Sequence, residues 1–151
     1  INSFCPTALA EEWDNVGLQV GDPNDAVTRI AVALDPTAIV IEEAIAKKAE
    51  LLICHHPLIF KPMRQITPND ETGKLVTRAI RAGLAIVAVH TNLDRARDGL
   101  NDWLAERLEL IQAEPLEMAR SFRDMISDSP STKAILTLIA PGRRWSMSPL
   151  T

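Results

Sequence analysis

The stretch from Leu51 to Phe60, LLICHHPLIF, constrains what this chain can fold into more than any other. An aliphatic run that stops at two adjacent histidines and a proline reads as a buried strand carrying polar side chains to its own C-terminal edge. Open α/β sheets keep their chemistry at that edge. Successive side chains on a strand point to opposite faces, so His55 and His56 converge only if the chain leaves the strand there. Pro57 supports that exit, because it donates no ladder hydrogen bond and holds His56 in an extended conformation. A histidine pair hydrogen-bonded in a core is the plain alternative.

The only other histidine has a similar setting. Leu84 to His90, LAIVAVH, is a second apolar run, followed by Thr91, Asn92, Leu93 and Asp94. If the two runs are neighbouring parallel strands, all three histidines share one sheet edge and Asp94 lies one short loop away. Such nitrogen and oxygen donors suit Zn, Fe, Mn or Ni as a divalent ion.

At 151 residues the chain holds one full core and is too short for two ordinary domains. With 46% hydrophobic but 4% aromatic residues, that core must be aliphatic. A net charge of −4 gives no electrostatic footprint for nucleic acid. Cys5 and Cys54 form no CxxC pair, which argues against a disulfide framework. No apolar stretch reaches membrane-span length and no signal peptide opens the sequence, so a soluble cytoplasmic protein is the expectation.

Along the chain, residues 1 to 12 read as a turn with part of a short helix, and Gly17 to Gly21 as a short strand between glycine turns. Those glycines fit neither GxxxxGK[ST] nor GxGxxG, so they are read as structural. Ile30 to Leu34 is a strand, and Asp35 or Thr37 could cap the helix over 38 to 49, with Ile39, Val40, Ala44 and Ile45 apolar. After the loop 61 to 70, a helix over 71 to 82 carries Leu75, Val76, Ala79 and Ile80 and stops at Gly83. A helix from 99 to 108 is predicted to turn Leu100, Trp103, Leu104 and Leu108 inward. Alternating strands and helices predict an α/β fold, a layered and mostly parallel sheet with flanking helices. Residues 1–110 are expected to form a metal-binding α/β domain and 111–151 an atypical, partly disordered C-terminal segment. In that segment only 133 to 140 reads as a strand, 119 to 131 is weakly patterned, and the last ten residues are expected to be poorly ordered. Arg143, Arg144 and Trp145 read as solvated surface rather than a nucleic-acid patch.

The segments EEWDNVGLQVGD (11–22), ALDPT (33–37), ICHHPLIF (53–60) and AVHTNLD (88–94) together resemble the NGG1-interacting-factor-3-like family, over about residues 8 to 110. Its members are also called type-2 GTP cyclohydrolase I homologues or dinuclear-metal-centre proteins. The resemblance implies an α/β fold with two divalent metals per subunit, inside a ring-shaped homohexamer. It implies His55, His56 and Asp94 as metal ligands, and His90 as a ligand or close neighbour. On chemical grounds the His90 imidazole could orient or deprotonate the attacking water. Trp13, Asp14 and Asn15 match the family's opening motif, with a structural role.

Family members continue well past this length and complete the site with a His-x-x-x-Glu pair. Here no histidine follows His90, and Glu114 and Glu117 stand in no such frame. Three or four protein ligands hold one metal and would hold two poorly. The sequence is therefore expected to be a fragment, a chain with an altered C-terminus or a degenerate member. The functional expectation is metal-assisted hydrolysis of a small-molecule or nucleotide substrate. Its alternative is a non-catalytic assembly protein with a structural or vestigial metal site. Cys54, two residues before His56, is the rival nucleophile, though its apolar run favours an inert thiol.

Overall fold

The computed structural model describes residues 1–111, 113–118, 132–140 and 143–145, with the backbone alone from residue 114 onward. The chain divides into two compact units, Ala10–His90 and Ile1–Leu9 with Thr91–Thr151.

In the first unit, β1 (Gly17–Val20), β2 (Ile30–Ala33), β3 (Leu51–Cys54) and β4 (Ala85–Ala88) form one sheet in the order β1-β4-β3-β2. β3 is parallel to both β2 and β4, whereas β1 pairs antiparallel with β4. One face of the sheet carries the core, where Leu52 and Ile86 are fully buried, while Ile53 and Val87 on the other face are half-buried and Val32 beside them is exposed. Around them the core gathers Val20, Ile41, Ala44, Cys54, Val76, Ala79 and Leu84. Gly21 follows β1 at φ +112°, and a Cβ there would lie 2.7 Å from the Ala85 Cβ, so only glycine lets the chain turn this close to β4.

Two helices cross between the parallel strands. α1 (Ala38–Ala46) starts at Thr37, whose hydroxyl accepts from the Val40 N–H, so Thr37 and not Asp35 is the cap. It buries Ile41 and Ala44, while Ile39, predicted on the apolar face, is 80% exposed. The run AIVIEEAIA is apolar on more than one side, so its periodicity does not choose the covered face. α2 (Glu71–Ala82) is capped by Asp70, which accepts from the Gly73 N–H, and ends at Gly83 in the left-handed conformation, φ 66°. Val76 and Ala79 are buried as its spacing requires, but Ile80 at the edge of that stripe is exposed.

The second unit contains a 3-10 turn at Thr7–Leu9, α3 (Thr91–Asp94) and α4 (Leu100–Arg107). The buried Asn92 donates from Nδ2 to the Cys5 carbonyl at 2.8 Å, tying α3 to the N-terminal segment. On α4 the inward residue is Ala105, and Leu100, Trp103, Leu104 and Leu108 are each 40–53% exposed. That corrects the predicted inward stripe: an apolar stripe marks a face that could be covered, and here the buried residue is the small Ala105 beside it. The unit also contains β5 (Glu114–Met118), β6 (Thr132–Ala140) and β7 (Arg143–Trp145), an antiparallel sheet in the order β5-β6-β7. Only β6 was predicted. Residues 119–131, 142 and 146–151, for which weak patterning and poor order were expected, lie outside the described residues.

Cys5 and Cys54 are both free and buried. No helix among the described residues is long and apolar enough to cross a membrane.

Candidate metal centre

Strand register brings the histidines together. Cys54 pairs with Ala88 across β3 and β4, so the two chains leave the sheet level with each other and carry His55, His56 and His90 to one edge. Backbone pairing continues beyond the strands: the His55 and His56 amides donate to the Ala33 and Leu34 carbonyls, and the Val89 amide to that of Cys54. The chain then turns at the histidines. Consecutive residues that would diverge on a strand instead place their rings 5.0 Å apart, and the His90 ring lies 5.1 and 5.5 Å from those of His55 and His56. One potential ligand atom from each of the three lies within 4.8 Å of the others.

Each imidazole is oriented through the same nitrogen. His55 Nδ1 lies 2.9 Å from the Val89 carbonyl, His56 Nδ1 2.6 Å from Asp35 Oδ1, and His90 Nδ1 3.0 Å from both Asp14 carboxylate oxygens. An oxygen acceptor at Nδ1 draws the proton there in the neutral ring, which leaves the lone pair on Nε2. This is the arrangement of metal-binding histidines, which give their other ring N–H to a carboxylate or carbonyl. Three imidazole donors on a fixed sheet edge therefore fit a borderline divalent ion.

Asp14 and Asp35 are the residues that sequence reasoning did not assign to the site. For Asp35 a signal existed, because it follows β2, which runs parallel to β3 and delivers its end to the same edge. For Asp14, 76 residues from His90, no periodicity pointed to the pairing. The segment that carries Asp14 is stapled to the chain after the histidines. Gln19 accepts from the Ile59 N–H and donates to the Ile59 carbonyl, which also accepts from Asn15 Nδ2. Trp13 stands edge-on to His90 and Phe60, with ring centroids 6.3 and 6.0 Å away.

Asp94, the fourth predicted site residue, is the last residue of α3 in the second unit, and its carbonyl accepts from Asn101 Nδ2 at 2.6 Å. Cys54 is 1% exposed, and burial, assisted by the negative charge of Asp35, pushes its thiol up to about 12. So little thiolate forms near neutrality that Cys54 is no nucleophile.

A family model for Duf34/NIF3 (NGG1p interacting factor 3) matches residues 1–143. The chain belongs to the Duf34/NIF3 family. Among its relatives, the GTP cyclohydrolase 1 type 2 homolog of Bacillus subtilis is 43% identical over 113 residues, covering 75% of this chain and 30% of that protein. The corresponding protein of Lactococcus lactis is 44% identical over 114 residues, covering 76% of this chain and 44% of that one. The crystal structure of a Bacillus cereus protein related to NIF3 superposes with a TM-score of 0.73 at 43% identity, over 78% of this chain and 32% of that one. The chain thus spans less than half the length of these Duf34/NIF3 relatives, and it shares its mixed α/β architecture with the Bacillus cereus structure.

Proposed function

We propose that this chain binds a divalent metal ion through Nε2 of His55, His56 and His90, and that the ion serves hydrolysis of a small-molecule or nucleotide substrate. The observation that carries the proposal is the convergence of three imidazole ligand atoms within 4.8 Å, each ring oriented by an acceptor at Nδ1. A divalent ion there supplies Lewis acidity and lowers the pKa of water. The chain's own residues hold the rings in place and present their Nε2 lone pairs to the ion.

Three imidazoles with water suffice for one ion. A second needs donors beyond these three, so the dinuclear centre and the ring-shaped homohexamer are proposed for the assembled family protein. Hydrolysis is favoured by the name the relatives carry, GTP cyclohydrolase 1 type 2 homolog.

Elemental analysis of intact, mass-verified protein beside a His55→Ala/His56→Ala variant tests the binding reading. About one ion or more per chain, lost in the variant, is expected. Metal content that does not respond to the substitutions contradicts it. Metal retained with no metal-dependent turnover would leave binding in place and replace the hydrolase with a non-catalytic assembly role.

A further inference from the structure

The three acceptors at the histidine Nδ1 atoms differ in kind. His55 meets a neutral backbone carbonyl and His56 an exposed carboxylate, whereas His90 meets a carboxylate whose side chain is 0% exposed. Asp14 is also held from behind, because the Asn15 N–H donates to Asp14 Oδ1 at 2.8 Å. The Asp14 N–H in turn donates to the Glu11 carbonyl, so the turn that presents the carboxylate is itself fixed.

We infer that Asp14 is a positioning residue: it sets the Nδ1–H tautomer of His90 and thereby keeps the His90 Nε2 lone pair turned to the site. This rests on the metal-binding reading only for what the lone pair is used for. The tautomer itself follows from the buried contact.

The orientation imposed by Asn15 gives the inference a sharp consequence. In an Asp14→Asn variant the side-chain oxygen stays with the Asn15 N–H, its partner in the native turn. The other carboxylate oxygen, also 3.0 Å from His90 Nδ1, is then replaced by an amide NH2. A donor at one of the two atoms facing Nδ1 opposes a proton there, so the ring shifts toward the Nε2–H tautomer and presents the Nε2 lone pair less. The change is isosteric and leaves the backbone turn intact, and an aspartate-to-asparagine exchange behind a catalytic histidine acts through the wrong tautomer in the same way. Asp35→Asn is the internal control. Asp35 is 51% exposed, so its amide can rotate and water can serve His56 Nδ1 instead.

The test is long-range proton–nitrogen NMR on metal-free, 15N-labelled protein at a pH where the imidazoles are neutral. With three histidines in the chain, each ring can be assigned by single substitution. The expected result is a proton on His90 Nδ1 in the parent protein and a shift toward Nε2 in Asp14→Asn, with His56 keeping its tautomer in Asp35→Asn. A proton on His90 Nε2 in the parent protein overturns the inference without reference to any variant, and an unchanged tautomer in a folded Asp14→Asn does the same. Zinc affinity, measured by competition with a chromophoric chelator, should fall about 10–100-fold in Asp14→Asn and much less in Asp35→Asn. If the tautomers behave as expected while the parent protein binds no zinc, the positioning role stands and the metal-binding reading falls.

Discussion

Two histidine–aspartate pairs of the same chemistry lie within one site, and they differ in what surrounds them. The His56–Asp35 contact is the shorter, 2.6 Å against 3.0 Å for His90–Asp14, yet the Asp35 side chain is 51% exposed and that of Asp14 0%. Length alone would rank them in the wrong order. An exposed pair exchanges one set of hydrogen bonds for another with water and contributes little net stability. A buried carboxylate has no water to fall back on, so losing its partner leaves an unpaired group in a poorly solvating environment.

The largest expected effect breaks the buried pair. Asp14→Ala leaves both His90 Nδ1 and the Asn15 N–H without the acceptor they have now, and should lower unfolding free energy by about 3 kcal/mol in urea titrations. A loss below about 1 kcal/mol would show that the pair behaves as a surface contact. Asp35→Ala sharpens the contrast, with an expected loss of about 0–1 kcal/mol. Raising salt should shrink the small Asp35 effect and leave the Asp14 effect standing, since buried pairs are screened much less.

A smaller effect concerns Cys54, which shares the Asp35 neighbourhood. Its thiol is raised from 9.0 to about 12 in the folded chain, so folding favours the protonated form. The unfolded chain therefore releases this proton first. The contribution is fully present below about pH 9 and is lost as pH rises through the window up to about 12. Replacing Cys54 by Ser should flatten that alkaline decline, and native Cys54 should resist iodoacetamide near neutral pH until the chain unfolds. Rapid labelling of the folded protein would contradict the burial on which this rests.

How much of this was legible in the sequence follows the same division between local pattern and distant contact. β3 and β4 announce themselves as aliphatic runs, and their parallel register is what the shared histidine edge required. The limits of α2 were written in its glycine stop and spacing, and the observed helix matches the predicted 71 to 82. Helix faces were less legible. Ile41, fully buried, was not among the apolar positions chosen for α1, and the α4 stripe lies largely exposed while Ala105 is covered. Apolar residues on several sides leave the packing partner to decide the face, and a sequence does not display its partners. The histidines were legible as a cluster because each ends an apolar run. Of their aspartates, Asp35 was signalled only by the strand it follows, and Asp14, 76 residues from His90, carried no local signature of the pairing.

The central claim is that His55, His56 and His90 are donors to one divalent ion, and the most direct measurement is X-ray absorption spectroscopy at the zinc edge of zinc-loaded protein. The expected spectrum shows nitrogen and oxygen coordination with the multiple-scattering signature of about three imidazole rings, reduced by one ring in His90→Ala. A spectrum without imidazole scattering, or one that His90→Ala leaves unchanged, would contradict it.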